Sequence, residues 1–356
     1  MMNMKFLLYC AVAALGLSSC NFDKKSFKST GIAVTGKIGE ILVVCDQDIW
    51  DSRFKECLDT NLTQFIMPYF PDVATFELIH KTPSHFTQGV KRYRNTMFIN
   101  IDPALKGDIG KIEKRVGVWA ADQLVIDITA RDFEQLEKTC SAGLKSVHQE
   151  FDTYEWKRIK KYYAESENRY ITDKVIENFG IDFELPDGAR LVTTRANFYR
   201  IEFPSAARPI EFVGAGTQDP GTITSGILVY QYDYKDSSQF SLEKLLRDRD
   251  TMLRYNVPSD YEGMYMGTQY NKIVYPEIDP TTNEDGTLSV VEMKGMFVFV
   301  GLGKHGPGGA FWAYHFIHSK SQKMICVSGY VDAPSTASWT QPLREVQAIL
   351  KSVVIK

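Results

Sequence analysis

The chain has 356 residues, 44% of them hydrophobic and 24% charged, with a formal net charge of −3. A pI of about 6.1 leaves no basic surplus, so nucleic acid is excluded as an expected partner. The composition is that of an ordinary globular protein, and the length exceeds a usual single core, which predicts two domains.

The chain opens MMNMKFLLYCAVAALGLSSC. Lys5 supplies a positive start, Phe6 to Leu17 is almost wholly apolar, and Ser18 and Ser19 precede Cys20. That order describes a secretory signal peptide, and the apolar run is shorter than the roughly 20 residues needed to span a bilayer. Leu17-Ser18-Ser19-Cys20 resembles the lipobox of bacterial lipoproteins. The resemblance implies that residues 1–19 are removed, that the Cys20 sulfur is diacylated, and that the new amino terminus is acylated as well. The expected location is the outer membrane, reached through the N-terminal lipid. Residues 20–37 then form a polar tether with Lys24, Lys25, Lys28 and Lys37. Surface-export signals in this position tend to be acidic, and the tether has only Asp23, so a periplasm-facing protein is expected. No second apolar run of spanning length follows, and no transmembrane helix is expected.

The first core element is Glu40 to Asp46, a continuous apolar run that reads as a buried strand. Ser52 caps a helix with Phe54, Cys57, Leu58, Phe65 and Ile66 inward, stopped by Pro68. Strands are expected over Thr75 to His80 and Thr96 to Ile101, with a short helix at Ser84 to Tyr93 between them. A short Lys-rich helix follows, then strands at Val116 to Ala120 and Gln123 to Thr129. Residues 132–149 predict a helix, and 151–178 a charged, aromatic-rich helical pair ended by Gly180. Strands alternating with helices predict an α/β arrangement over residues 38–180. In residues 181–356 strand patterns dominate. They fall at Ala189 to Thr194, Asn197 to Phe203, Gly226 to Tyr234, Lys272 to Tyr275, Leu288 to Val300, Ala310 to His318 and Met324 to Val331. Helices begin at Ser241 and run over Thr340 to Ile355. This half predicts an antiparallel α+β domain with helices packed on the sheet. The fold class is therefore two helix-on-sheet domains, an N-terminal α/β sandwich and a C-terminal antiparallel sheet, with an element order similar to the Mog1/PsbP-like sandwich.

Gly301-Leu302-Gly303-Lys304-His305-Gly306 matches GxGxxG, but a strand pattern follows where a dinucleotide site needs a helix. GLGKHGPGG reads as a wide glycine-rich hairpin turn. His315 and His318 lie three apart on a strand and face opposite sides, so they cannot chelate one ion. No metal, cofactor or catalytic residue is expected. Arg247-Asp248-Arg249-Asp250 reads as a solvated helix face. Cys45, Cys57, Cys140 and Cys326 lie in apolar patterns without metal-ligand spacing and are expected as buried free thiols, with a Cys45–Cys57 bridge the alternative. Tyr261, Tyr265 and Met266, in a loop rich in tyrosine and methionine, with Lys304 and His305 of the glycine-rich turn, form the expected binding surface.

Three stretches carry a family resemblance. They are Thr35 to Val44, Arg249-Asp250 with Asn256-Val257-Pro258 and Met266, and a tail containing Gly306-Pro307-Gly308-Gly309, Gly329 to Pro334 and Leu343 to Leu350. Together they resemble a family of Bacteroidetes lipoproteins with domain of unknown function 4837. The resemblance implies a location and a two-part fold and supplies no activity. The function expected is a lipid-anchored cell-envelope protein that binds an envelope protein or a small ligand without doing chemistry. The alternatives are an envelope hydrolase with a site assembled from distant residues, and a carrier of small molecules or lipids.

Overall fold

The computed structural model describes residues 25–26, 32–165, 169–203, 223–259, 262–333 and 338–356. By its internal contacts the chain divides into two compact units. The first comprises Met1–Val34, Leu42–Cys57 and His80–Val147; the second comprises Thr35–Ile41, Leu58–Ile79 and His148–Lys356.

The first unit carries most of a six-stranded sheet in the order β1 (Lys25–Ser26), β5 (Lys111–Val116), β6 (Leu124–Ala130), β4 (Asn95–Ile101), β2 (Glu40–Val44), β3 (Glu77–Lys81). Strands β2, β4 and β6 run parallel, and β5 pairs antiparallel with β6. Parallel strands are covered on both faces, which explains why EILVV of β2 is buried at every position. The short helix α1 (Gln47–Trp50) and helix α2 (Arg53–Leu62) follow β2. The start of α3 (Phe133–Ala164) buries Leu136, Leu144 and Val147.

Six sequence expectations need correction in this half. Helix α2 ends at Leu62, so Phe65 and Ile66 lie beyond it and Pro68 does not stop it. Val116 to Ala120 is not a strand of its own, since β5 ends at Val116. The Lys-rich segment after β4 is strand β5, not a helix. Its alternation of apolar and charged residues suits an exposed sheet face, and Arg115 donates two bonds of 2.6 Å to Asp127 across the β5–β6 pair. The expected helix at Ser84 to Tyr93 is only a 3-10 turn at Pro83–His85. Helix α3 is continuous through residue 150, because Val147, Phe151 and Ile159 prolong one buried stripe at helical spacing. The thiols are not all free: Cys57 and Cys140 are bridged, with Cα atoms 6.4 Å apart, while Cys45 and Cys326 are buried free thiols.

The second unit is built on an eight-stranded antiparallel sheet. Its order is β11 (Tyr265–Thr268), β13 (Ser289–Gly301), β14 (Lys304–His318), β15 (Lys323–Asp332), β10 (Thr224–Asp233), β9 (Phe198–Phe203), β8 (Arg190–Arg195), and β12 (Glu277–Thr282) pairs with β13 beyond β11. A small pair joins β7 (Ile181–Asp182) to β16 (Val354–Ile355). Period-two alternation sorts side chains onto two faces. Ala310, Trp312, Tyr314 and Phe316 of β14 join one core with Trp156 and Ile159 of α3, Ile171 and Val175 of α4 (Arg169–Phe179), and Leu343, Val346 and Leu350 of α6 (Thr340–Ser352). Phe311 and Ala313 face the other way, into a core closed by Leu245, Leu246 and Leu253 of α5 (Leu242–Asn256). Helix α6 lies close on the sheet: a Cβ at Gly329 would stand 2.2 Å from Val346 Cγ1.

The glycine-rich segment is not a wide turn. Gly301 pairs with Lys304, and only Leu302 and Gly303 form the loop, with φ of +51° and +70°. Two successive positive φ values make the hairpin reversal whose twist matches the flanking strands. Residues 304–309 are already strand, and Gly309 lets β15 approach, since a Cβ there would meet the Val331 carbonyl oxygen.

Candidate functional site

Helix α5 packs one face on the sheet because Leu245, Leu246, Arg249 and Leu253 follow the 3.6-residue period. Arg249 is therefore an inward residue, only 1% exposed. The reading of Arg247–Asp250 as a wholly solvated face is corrected here. Arg249 has Leu245 four residues before it and Leu253 four after it, a spacing that was legible in the sequence. Its guanidinium lies 3.9 Å from the centre of the Phe311 ring. Nη1 donates to Thr268 Oγ1 at 2.8 Å and lies 3.8 Å from the Asp250 carboxylate. Its Nε and Nη2 have no hydrogen-bond partner among the described residues.

Beneath Arg249 the sheet presents Tyr230, His315 and Cys326, all fully buried. His315 and Cys326 are register partners on β14 and β15, and the thiol lies 3.7 Å from His315 Nε2. Burial, with the nearby Arg249 cation, holds His315 down at about 3. Burial pushes Cys326 up to about 12. Both groups are thus neutral at neutral pH, and a thiol that is neither ionised nor reachable is not a nucleophile. The Cys–His adjacency is part of the core. His318 points elsewhere, with Nε2 at 3.1 Å from the Gly180 carbonyl oxygen. Among the described residues no group of His, Cys, Asp and Glu could hold a metal ion.

On the outer side of α5 the same helix borders a groove. Two adjoining depressions of about 380 and 600 Å3 share Asp250, Tyr265 and Tyr270. Arg247, Arg254 and Tyr275 line the first; Gln269, Asn271 and Val300 line the second. Asp250 organises the floor. One oxygen accepts from the Thr268 N–H at 3.1 Å and from its hydroxyl at 2.6 Å, and the other accepts from the Tyr270 hydroxyl at 2.5 Å. Burial and this bond to Asp250 raise the Tyr270 pKa above the ordinary tyrosine range, so the phenol is a fixed donor. The Tyr270 and Tyr275 rings stand 6.1 Å apart at 53°, and the Arg254 guanidinium lies 5.6 Å from the Tyr265 ring.

Asp250 also blunts a sheet edge. The amides of β11 that point away from β13 are both used: Met266 N–H donates to the Val257 carbonyl and Thr268 N–H to Asp250. The edge cannot accept an added strand there, so recognition in the groove falls to side chains.

Of the residues expected from sequence, Tyr265 lines the groove. Met266 is 1% exposed, in the core behind the strand, since its neighbour Tyr265 takes the outward position. Tyr261 and Cys20 lie outside the described residues. Lys304 and His305 open β14, and Val300 stands between Tyr265 and His305 in register; the side chains of Lys304 and His305 are outside the described set. Sequence reasoning missed Asp250, Arg254 and Tyr275 as groove residues. Asp250 faces the groove because it precedes by one turn Arg254, which lies on the same helix flank.

A family model described as Domain of unknown function (DUF8532) matches residues 34–164. A second, described as Domain of unknown function (DUF4837), matches residues 168–352, more than half of the chain. No curated protein matches. Among solved structures, the Ran-binding protein Mog1p of Saccharomyces cerevisiae is similar at 11% identity and a TM-score of 0.29, over 49% of this chain and 90% of its own. The cyanobacterial PsbP (CyanoP) of Synechocystis is similar at 11% identity and a TM-score of 0.24, over 50% of this chain and 87% of its own.

Proposed function

The chain belongs to the family described as Domain of unknown function (DUF4837), a description without chemistry, and from that premise we propose a function read from the groove. The protein is a lipid-anchored cell-envelope module that binds a segment of another protein in the groove between α5, β11 and residues 269–275. The observation that carries this reading is the lining. Three tyrosines and two arginines meet in one depression, and these are residue types that dominate protein contact energies. Tyr270 is held by Asp250 before any partner arrives, which lowers the ordering cost of binding.

The anchor in this reading is Cys20, within a signal-like order of positive, apolar and small residues. The outer membrane, with the folded part facing the periplasm, is the proposed location. The Cys57–Cys140 bridge supports an oxidising compartment. Alanine at both Tyr265 and Tyr275 tests the groove. Capture of the partner from solubilised membranes should fall at least about tenfold, the loss of roughly 1.4 kcal/mol of contact energy. Unchanged capture by a folded double variant would refute the assignment.

A further inference from the structure

The inner side of α5 carries a feature that the groove does not use. Arg249 is buried, yet among the described residues no carboxylate lies within hydrogen-bond reach of its guanidinium. Asp250 stands 3.8 Å from Nη1, and its oxygens accept from Thr268 and Tyr270 instead. Nε and Nη2 are left without partners. A buried donor left unmatched is costly, most of all on a charged group, and native interiors rarely keep one. The sheet beneath shows what could match them. Strands β14, β15 and β10 lie side by side, and their register sets side chains in rows on the face under α5. Tyr230, Cys326 and His315 form one row, Leu228, Ser328 and Ala313 the next, and Gly226, Tyr330 and Phe311 the third. The guanidinium lies 3.9 Å from the centre of the Phe311 ring and is also close enough to bias the titration of Tyr230, Cys326 and His315. It therefore spans the middle row, over two small neighbours, Ser328 and Ala313.

Three further buried polar atoms of these rows have no hydrogen-bond partner among the described residues: the Ser328 hydroxyl, His315 Nδ1, and the Tyr230 hydroxyl, which meets only the weakly accepting Cys326 thiol. Imidazole nitrogen accepts more readily than sulfur, so the thiol donates to His315 Nε2 and the ring proton sits on Nδ1. The set is thus one cation with a ring of N–H and O–H donors and no carboxylate. A water molecule there needs acceptors for its own two protons, and only the two hydroxyl oxygens offer them. An anion needs donors alone. We propose that a chloride-sized anion binds between the Arg249 guanidinium and the Ser328–Ala313 pair, held by Nε and Nη2 and by the hydroxyls of Tyr230 and Ser328. All four lining side chains are buried, so the site takes a monatomic ion and no ligand that must reach solvent. The ion joins α5 to β10 and β15 beneath the residue that precedes Asp250, and the groove floor is seated on it.

The test is urea unfolding of the full chain at fixed ionic strength, with chloride exchanged for gluconate over about 5 to 500 mM. Once chloride exceeds its dissociation constant, each tenfold rise should lower the unfolding equilibrium constant about tenfold, the linkage of one ion bound by the folded state alone. Tyr230→Phe and Ser328→Ala each remove one donor and keep or reduce the side chain's size. Each should raise the chloride needed for the same effect at least about fivefold, the loss of one hydrogen bond to a charge. Crystals grown in bromide should show an anomalous peak beside Arg249 Nε. Stability independent of chloride overturns the proposal and assigns the place to water. A bromide peak without a chloride response is an adventitious ion only and overturns it equally. A chloride response that both variants leave unchanged puts the ion elsewhere on the protein and also overturns it.

Discussion

His315 gives the sharpest prediction on stability. It is fully buried beside the Arg249 cation, and its pKa is held at about 3 against a usual 6.5. The folded state therefore refuses a proton that the unfolded chain accepts as pH falls below about 6.5. Between pH 6.5 and 3 the unfolded state binds more protons, so stability must fall as pH falls. The full depression of about 3.5 pH units corresponds to roughly 5 kcal/mol, and the linkage relation gives about 2 kcal/mol between pH 7.5 and 5. His315→Gln removes the titration and keeps a polar side chain of similar size. Urea unfolding at pH 7.5 and pH 5, read by intrinsic fluorescence, measures the difference. Wild type should lose about 2 kcal/mol more than the variant over this interval. His148 is also lowered, by burial and by Arg344 against the opposing pull of Asp152, and it contributes with the same sign in both proteins. Equal pH dependence in the two would refute the buried, neutral assignment of His315.

Two further outcomes follow from the same packing. Reduction of the Cys57–Cys140 bridge, which closes a separation of 83 residues, should lower stability by up to about 4–5 kcal/mol on the chain-entropy relation. Non-reducing peptide mapping should find this pair joined, with Cys45 and Cys326 unreactive to alkylation until unfolding. Asp250→Asn removes the carboxylate beside buried Arg249 and weakens the hold on Tyr270. It should cost about 2–3 kcal/mol in urea unfolding and also weaken partner capture. A variant as stable as wild type would show that Asp250 does not organise the groove floor.

Where a strand alternates cleanly, sequence alone places it. AFWAYHFIH reads as β14 because its residues divide strictly between two buried faces. KIEKRV of β5 does not read so, since Arg115 finds its partner, Asp127, only once the sheet forms. Helix α3 runs past residue 149, and its inward face there takes in a charged residue, Glu155. That carboxylate is buried and paired with Arg158 one turn on. The disulfide could not be read from spacing, because its cysteines belong to helices α2 and α3, far apart in sequence. At the groove, Tyr265 was legible as a loop aromatic. Arg249 was hidden by its charged neighbours, although its helical spacing to three leucines gave it away. Asp250 acquires its role only from Thr268 and Tyr270, 18 and 20 residues further along the chain, and no local pattern records those bonds.

The proposed partner site is the tyrosine groove. The most direct measurement is photo-crosslinking in living cells from a benzophenone amino acid placed at Tyr275, with the same group at exposed Tyr162 as control. Tyr275 should give one discrete protein adduct, absent from Tyr162 and weakened by Asp250→Asn. No adduct from Tyr275 in a correctly folded protein, or the same adduct from Tyr162, would contradict it.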